Sequence, residues 1–202
     1  EFLKHPAVKN NYIVVDGDPD NLAADALANN EIVAVCRGKM EFGPRSLGHR
    51  SLLANPSSKE TVEKINSSIK GRDFWMPFAP SILAEEIDNC TVNNKKCDFS
   101  YMTFTVNTKE KIRKDFTATL HPYDYTMRAH SVDKNASPSY HKLIKTFFDK
   151  TGIPGVLNTS LNIHGKPIVM KPIDLANELL SVEGVFIENI IIDNIFFKLK
   201  IS

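Results

Sequence analysis

The chain predicts an α/β fold built on one mixed sheet. Three observations carry that expectation. Short β-branched runs bounded by Gly, Pro, Asn or Asp alternate with segments whose apolar residues recur every three to four positions. No apolar run approaches the ~18–20 residues needed to span a bilayer, so the 42% of the 202 residues that are hydrophobic are available for a core. Nothing in the chain repeats or falls into low complexity, so a single domain over 1–202 accommodates it.

The elements follow in order. Pro19 to Asn30 is predicted helix, with Asp18 or Asp20 as the cap and Leu22, Ala23, Ala26 and Leu27 on one face. Glu31 to Arg37 (EIVAVCR) is apolar and β-branched, which marks a buried strand. Gly38 to Arg50 is a loop with three glycines and a proline. Ser57 to Ile69 is predicted helix, because Val62, Ile65 and Ile69 share a face. Lys70 to Pro80 is irregular, and strands are expected at Ser81 to Ala84 and Phe99 to Val106. The charged stretch Asn107 to Asp115 reads as a surface turn or short helix. Ser137-Pro138 opens a helix whose apolar positions are Tyr140, Leu143, Ile144, Phe147 and Phe148, and Gly152 closes it. A short strand at Gly155 to Leu157 leads into a polar loop, Asn158 to Lys166. Pro172 to Ser181 is helix, and the tail from Gly184 to Lys200 is β-rich with a break at Asp193-Asn194.

Composition narrows the function. The formal net charge is +1, so there is no global basic field, no nucleic-acid partner is expected, and any anion site must be local. The apolar stretch Phe186 to Leu199 is interrupted by Glu188, Asn189, Asp193, Asn194 and Lys198, and no leader pattern precedes the first helix. No membrane partner is expected. The sequence begins at Glu1, not Met, and reads as a piece of a longer protein. Cys36, Cys90 and Cys97 are odd in number, and the last two are spaced poorly for zinc, so they are expected to be reduced thiols in a cytoplasmic protein. No metal site is expected from the chain's own side chains, since HExxH, GxSxG and Cys/His clusters are all missing from the sequence.

The candidate chemistry is anionic. The chain has six Arg against nineteen Lys, and Arg37, Arg45, Arg50, Arg72 and Arg128 sit in or beside segments rich in Gly, Pro or aromatics. A guanidinium fork grips phosphate bidentately, which an ammonium cannot do. The loop RGKMEFGPRSLGHRS, Arg37 to Ser51, gathers Lys39, Arg45 and Arg50 among glycines that let backbone approach a ligand. It is not a Walker A loop, because Pro44-Arg45 stands where Lys-Ser/Thr is required. Lys70 and Arg72, one residue apart, can face one side of an extended segment; the aromatics that follow, Phe74 among them, could wall a nucleotide pocket, but Trp75 and Phe78 read as core. Asn158, Thr159, Ser160 and Asn162 place hydrogen-bonding groups after a strand, suited to a phosphate oxygen and a carbonyl or hydroxyl. Each cluster also has a plainer reading: Glu41 tying the arginines into a surface loop, or the Asn158 turn satisfying its own backbone. His164 has no obvious partner.

These motifs resemble a known family. MEFGPRSLGHRSLLANP is similar to the MEFGPRALGNRSILADP signature of the C-terminal domain of NodU/TobZ-type carbamoyltransferases. PFAPSIL, TMRAHSVD and NASPSYHKLIKTFFDKTGIPGVLNTSLNIHGKPIV resemble the same family in the same order, from about Asn21 to the C-terminus. The resemblance implies a YrdC-like domain, a twisted mixed sheet with flanking helices and a positively charged concave cavity. It implies that ATP with Mg²⁺ and carbamoyl phosphate bind there and form carbamoyl-adenylate for transfer to a hydroxyl acceptor. An N-terminal actin-like, metal-binding domain would be the partner, and homodimerisation is left open. The K-x-R and S-x-N signature of that fold falls on Lys70, Arg72, Ser160 and Asn162. The resemblance assigns catalysis to Lys70, Arg72 and Arg45, and nucleotide or carbamoyl-phosphate binding to Lys39, Arg50, Arg128, Ser160, Asn162 and Asn158. Met76 stands where the family has Arg. Two rival readings stay open: a threonylcarbamoyl-adenylate synthase, and a nucleotide-binding module inactive without its partner domain.

Overall fold

The computed structural model describes residues 1–200 apart from Phe42, Phe74 and Asn94. In chain order the elements are α1 (Pro6–Asn11), β1 (Tyr12–Val15), α2 (Pro19–Ala28), β2 (Val33–Cys36), β3 (Arg50–Ala54), α3 (Lys59–Ile65), β4 (Ala79–Leu83) and α4 (Ile87–Cys90). They continue with β5 (Val106–Asn107), β6 (Thr126–Met127), β7 (His130–Val132), α5 (Pro138–Thr151), β8 (Gly155–Ser160), α6 (Pro172–Leu175), β9 (Asn189–Ile192) and β10 (Ile195–Leu199). Eight strands form one mixed sheet in the order β1-β10-β9-β2-β3-β8-β4-β7, while β5 and β6 pair separately. The β2/β9 and β4/β7 pairs are parallel, and the other pairs in the large sheet are antiparallel.

Both faces of the sheet are covered, which explains its continuous apolar runs. Successive side chains of a strand point to opposite faces. Val33, Val35, Leu53, Val156, Ile191 and Phe196 join one core, with α2 and α5 over it. Ala34, Cys36, Leu52, Ala54, Leu157, Ile190 and Phe197 join the other, with Val8, Ile65 and Leu175. Helix α5 buries Tyr140, Leu143, Ile144 and Phe147 and ends at Gly152 with φ of 75°, as its sequence predicts. Each such side chain contributes roughly 1.5–3 kcal/mol of burial. Asp18 caps α2 by accepting from the N–H groups of Asp20 and Asn21.

Three expectations need correction. The strand expected at Phe99 to Val106 is irregular, and only Val106–Asn107 is extended and paired. Asp98 captures the Ser100 backbone N–H at 2.9 Å and Met102 turns left-handed at φ of 53°, so the chain coils there and buries Phe99 and Met102. The loop expected to run through Arg50 stops there instead, because Arg50 opens β3, whose five residues are all buried. Likewise Asn158, Thr159 and Ser160 complete β8 and do not begin the loop. Among the described residues no helix is long and apolar enough to cross a membrane.

Candidate functional site

The site forms where β8, the loop before β3 and the segment after α3 meet. After Ile65, α3 continues as one π-helical turn, Asn66–Lys70, which ends at left-handed Gly71 with φ of 52°. Asn66 then clamps the next residue: its Nδ2 donates to the Arg72 carbonyl and its Oδ1 accepts from the Arg72 N–H, both at 2.8 Å. This clamp fixes the direction in which Arg72 leaves the chain. The guanidinium lies 4.7 Å over the Phe78 ring and donates to Thr159 Oγ1 at 3.2 Å.

Arg72 meets Arg45, from the loop before β3, and Arg128, from between β6 and β7. The three line a small cavity of about 50 Å³ together with Ser46, Asn158, Thr159 and Ser160. They also line the adjoining open cleft of about 560 Å³, walled by Trp75, Met76, Phe78 and His164; Phe78 is buried as expected, but Trp75 is exposed and is not part of the core. No carboxylate among the described residues lies within ion-pairing distance of these guanidiniums. Burial, then Arg128 and Arg45, lower the Arg72 pKa, and burial followed by Arg45 lowers that of Arg128. Mutual repulsion of like charges destabilises the empty arrangement, and an anion relieves it.

The K-x-R and S-x-N residues do come together, but in two roles. Lys70 is almost fully buried. Its Nζ donates to the Ser160 carbonyl at 2.5 Å, the Asn162 carbonyl at 2.8 Å and Asn162 Oδ1 at 2.7 Å. Ser160 Oγ donates to the same Asn162 Oδ1 at 2.6 Å. The ammonium is therefore spent on holding the exit of β8 in shape, and Arg72 alone of the pair faces the cavity. Burial, and secondarily the Arg72 charge, push the Lys70 pKa down to about 7.

Two other expected cations are elsewhere. The Arg50 guanidinium is buried and donates to the backbone carbonyls of Arg37 (2.6 Å), Gly38 (3.0 Å), His49 (3.0 Å) and Met170 (2.9 Å). It stitches its own loop shut and has no fork left for a phosphate. Lys39 is exposed and lines neither cavity. Arg37 is likewise committed, to Asp20 and the Asp193 carbonyl. The loop is held together without the Arg–Glu pairing that its plainer reading expected: Glu41 accepts from the backbone N–H groups of His49 and Arg50 at 2.8 Å, and among the described residues it pairs with no guanidinium. Phe42 and Phe74, named with the loop and the aromatic wall, lie outside the described residues.

The sequence motifs single out Thr159 but not Asn66, Ser46, Ser81 or His130. Of these, Ser81 carries a signal in the sequence, as the one polar residue of the apolar segment APSIL. The pairing of β4 with β7 and β8 puts Ser81 and His130 beside Asn158. Among the described residues no group of three or more His, Cys, Asp or Glu side chains is arranged to hold a metal ion.

Comparison with known proteins adds family and fold. Residues 24–198 match the family described as the carbamoyltransferase C-terminus. The nodulation protein NolNO of Sinorhizobium fredii is 34% identical over 167 residues, which are 82% of this chain and 24% of that protein. The 3'-hydroxymethylcephem-O-carbamoyltransferase of Amycolatopsis lactamdurans is 32% identical over 150 residues, 74% of this chain and 28% of that protein. The chain spans 24–32% of the length of the first curated relatives it matches. Among solved structures, P. abyssi Sua5 complexed with L-threonine superposes with a TM-score of 0.58 at 18% identity, covering 87% of this chain and 46% of that one. That likeness extends to the fold and bears out the mixed sheet with flanking helices.

Proposed function

Because this chain belongs to the carbamoyltransferase C-terminal family, we propose that it binds ATP and carbamoyl phosphate and forms carbamoyl-adenylate for transfer to a hydroxyl acceptor. The observation that carries the reading is the meeting of Arg45, Arg72 and Arg128 on one cavity with no carboxylate among the described residues to balance them. Such an arrangement fits an anion with several oxygens. The named carbamoyl transferase among the relatives supports the class of group transferred.

The reaction has two steps. Hydrolysis of carbamoyl phosphate yields carbamate and phosphate. A carbamate oxygen then attacks the α-phosphorus of ATP, the α–β phosphoanhydride bond breaks, and pyrophosphate leaves with its electron pair. ATP enters with its Mg²⁺ as substrate. Arg45, Arg72 and Arg128 stabilise the charge that builds on the phosphoryl oxygens. Lys70 acts through Ser160 and Asn162, holding the end of β8 where the acyl group is bound. The Trp75–Phe78 wall and His164 border the larger cleft, where the nucleoside fits by size.

The test is pyrophosphate release by the purified chain given ATP, Mg²⁺ and carbamoyl phosphate, against threonine plus bicarbonate. Release with carbamoyl phosphate supports the proposal. Release only with threonine plus bicarbonate replaces it with the synthase reading. Silence with both pairs, in a folded sample that still binds ATP, overturns adenylation by this chain alone.

A further inference from the structure

A second cleft, of about 790 Å³, shares the Met76–Phe78 segment with the cleft described above. One of its walls is α3 with the π-helical turn that follows. Lys59, Val62, Glu63, Asn66 and Ser67 line it at the spacing of a single helix face, while Thr61 and Ile65 are buried on the other side. The opposite wall is the segment 113–125. Ile112 and Phe116 anchor that segment in the core, and Arg113, Lys114 and Thr117 line the cleft. Arg45, Arg72 and Arg128 do not line this cleft, and Arg113 does not line the other.

Arg37 and Arg50 are spent on protein partners, and Arg45, Arg72 and Arg128 share the small cavity. The sixth arginine, Arg113, does neither. It is half-buried, and its Cζ lies 4.5 Å from the centroid of the Tyr125 ring. Its Nε is buried and has no partner among the described residues. Among those residues no carboxylate lies within ion-pairing distance of it, although the exposed Glu63 and Asp73 line the same cleft. A guanidinium that has given up part of its hydration without a partner carries a free-energy cost. Stacking on Tyr125 fixes its plane and offsets part of that cost. An oxoanion that meets the fork from the cleft offsets the rest.

Tyr125 is itself held in place. Its backbone is left-handed at φ of 56°, and its N–H donates to the His121 carbonyl at 3.1 Å. A bulky residue in that conformation costs free energy, and such residues gather at ligand sites. The remaining lining describes the rest of the ligand. Val62, Pro77, Phe78 and Leu120 give the cleft an apolar stretch, with Lys59 and Lys114 at exposed positions. The volume falls within the roughly 300–1,000 Å³ of small-molecule sites, which is more room than a bare phosphate fills.

We propose that this cleft is a second ligand site, for a small organic anion: one phosphate or carboxylate group taken by Arg113, on an apolar body that lies against Val62, Pro77 and Leu120. The site is separate from the cavity of Arg45, Arg72 and Arg128, and it does not depend on what that cavity binds.

The test is an amide chemical-shift titration of the isotope-labelled chain with phenyl phosphate, benzoate, inorganic phosphate and benzyl alcohol. Phenyl phosphate or benzoate is expected to shift the amides of Ser67, Thr117 and Ala118 to saturation, and the tighter of the two tells a phosphate site from a carboxylate site. Inorganic phosphate and benzyl alcohol each carry half of the ligand, and each is expected to bind there at least roughly ten-fold more weakly. Arg113→Gln is expected to weaken the aromatic anion roughly ten- to a hundred-fold, and Arg72→Ala to leave it in place. If Arg113→Gln does not fold, Ser67→Glu, at an exposed position of the opposite wall, is expected to weaken binding roughly two- to five-fold through its charge. The inference is overturned if neither aromatic anion gives a saturable shift, or if Arg113→Gln binds as the unaltered chain does. It is also overturned if Arg72→Ala loses as much affinity as Arg113→Gln, because the ligand then sits in the arginine-lined cavity.

Discussion

Replacing Arg50 by lysine separates the two roles that arginine plays in this molecule. The Arg50 fork makes hydrogen bonds to carbonyls of Arg37, Gly38, Lys39, His49 and Met170, and no carboxylate shares the work. Lysine keeps the charge but has three donors on one atom, so at least half of these bonds are lost. At roughly 1.5–3 kcal/mol for each charge-assisted bond, a literal sum for three exceeds the whole stability of many domains. That sum is too high, because Gly38, Lys39 and Met170 are exposed residues whose carbonyls can turn to water. The half-buried remainder, chiefly the 2.6 Å bond to the Arg37 carbonyl and the 3.0 Å bond to His49, points to a loss of about 2–4 kcal/mol. With a urea m-value of roughly 2 kcal/mol/M, the unfolding midpoint falls by about 1–2 M at unchanged m. Arg72→Lys, at a site that opens to the cleft, is expected to leave the midpoint nearly in place and to weaken nucleotide binding. The reasoning is refuted if Arg50→Lys unfolds like the unaltered chain while losing nucleotide affinity as Arg72→Lys does.

Other perturbations test other parts of the account. Arg72→Ala and Arg128→Ala each remove a charge-assisted contact, so adenylate formation, followed as pyrophosphate release, is expected to fall roughly ten- to a hundred-fold. Gly48 has φ of 109° and an added Cβ would lie 2.3 Å from the Tyr140 ring; Gly48→Ala is expected to cost about 1–3 kcal/mol by urea unfolding, and a neutral result contradicts that packing. The folded pKa of Lys70, about 7, lies below its unfolded value of ~10.4, so the unfolded chain binds more protons between those limits. Stability from this group therefore rises with pH across that window, and the advantage of the unaltered chain over Lys70→Met should grow from pH 6 to pH 9; a constant difference shows the ammonium titrating normally. Burial pushes the Cys36 thiol up to about 11 and the Cys90 thiol up to about 12. An alkylating reagent at pH 8 should therefore modify only the half-buried Cys97 in the folded chain, as counted by mass spectrometry.

Fold and site were legible in the sequence to different depths, for a physical reason. A strand buried on both faces announces itself locally, as EIVAVCR does, and a capped, closed helix such as Pro138–Thr151 carries its own boundaries. Phe99 to Val106 has the same strand-like composition, but Asp98 and the left-handed Met102 decide its path through bonds that composition does not encode. The site is harder still, because the role of an arginine depends on what stands opposite it. Arg45 and Arg50 lie five positions apart in one loop, and both look like phosphate ligands in the sequence. Once β3 forms, Arg50 points into a ring of carbonyls and becomes part of the scaffold, while Arg45 joins two guanidiniums brought from distant segments. Lys70 and Arg72 divide in the same way, one buried under Ser160 and Asn162, the other turned out over Phe78. In each pair the member whose donors are saturated by protein holds the shape, and the member left short of acceptors is the one a ligand can reach. That criterion can be stated only with the fold in hand, because it depends on which carbonyls and hydroxyls the strands bring opposite each side chain.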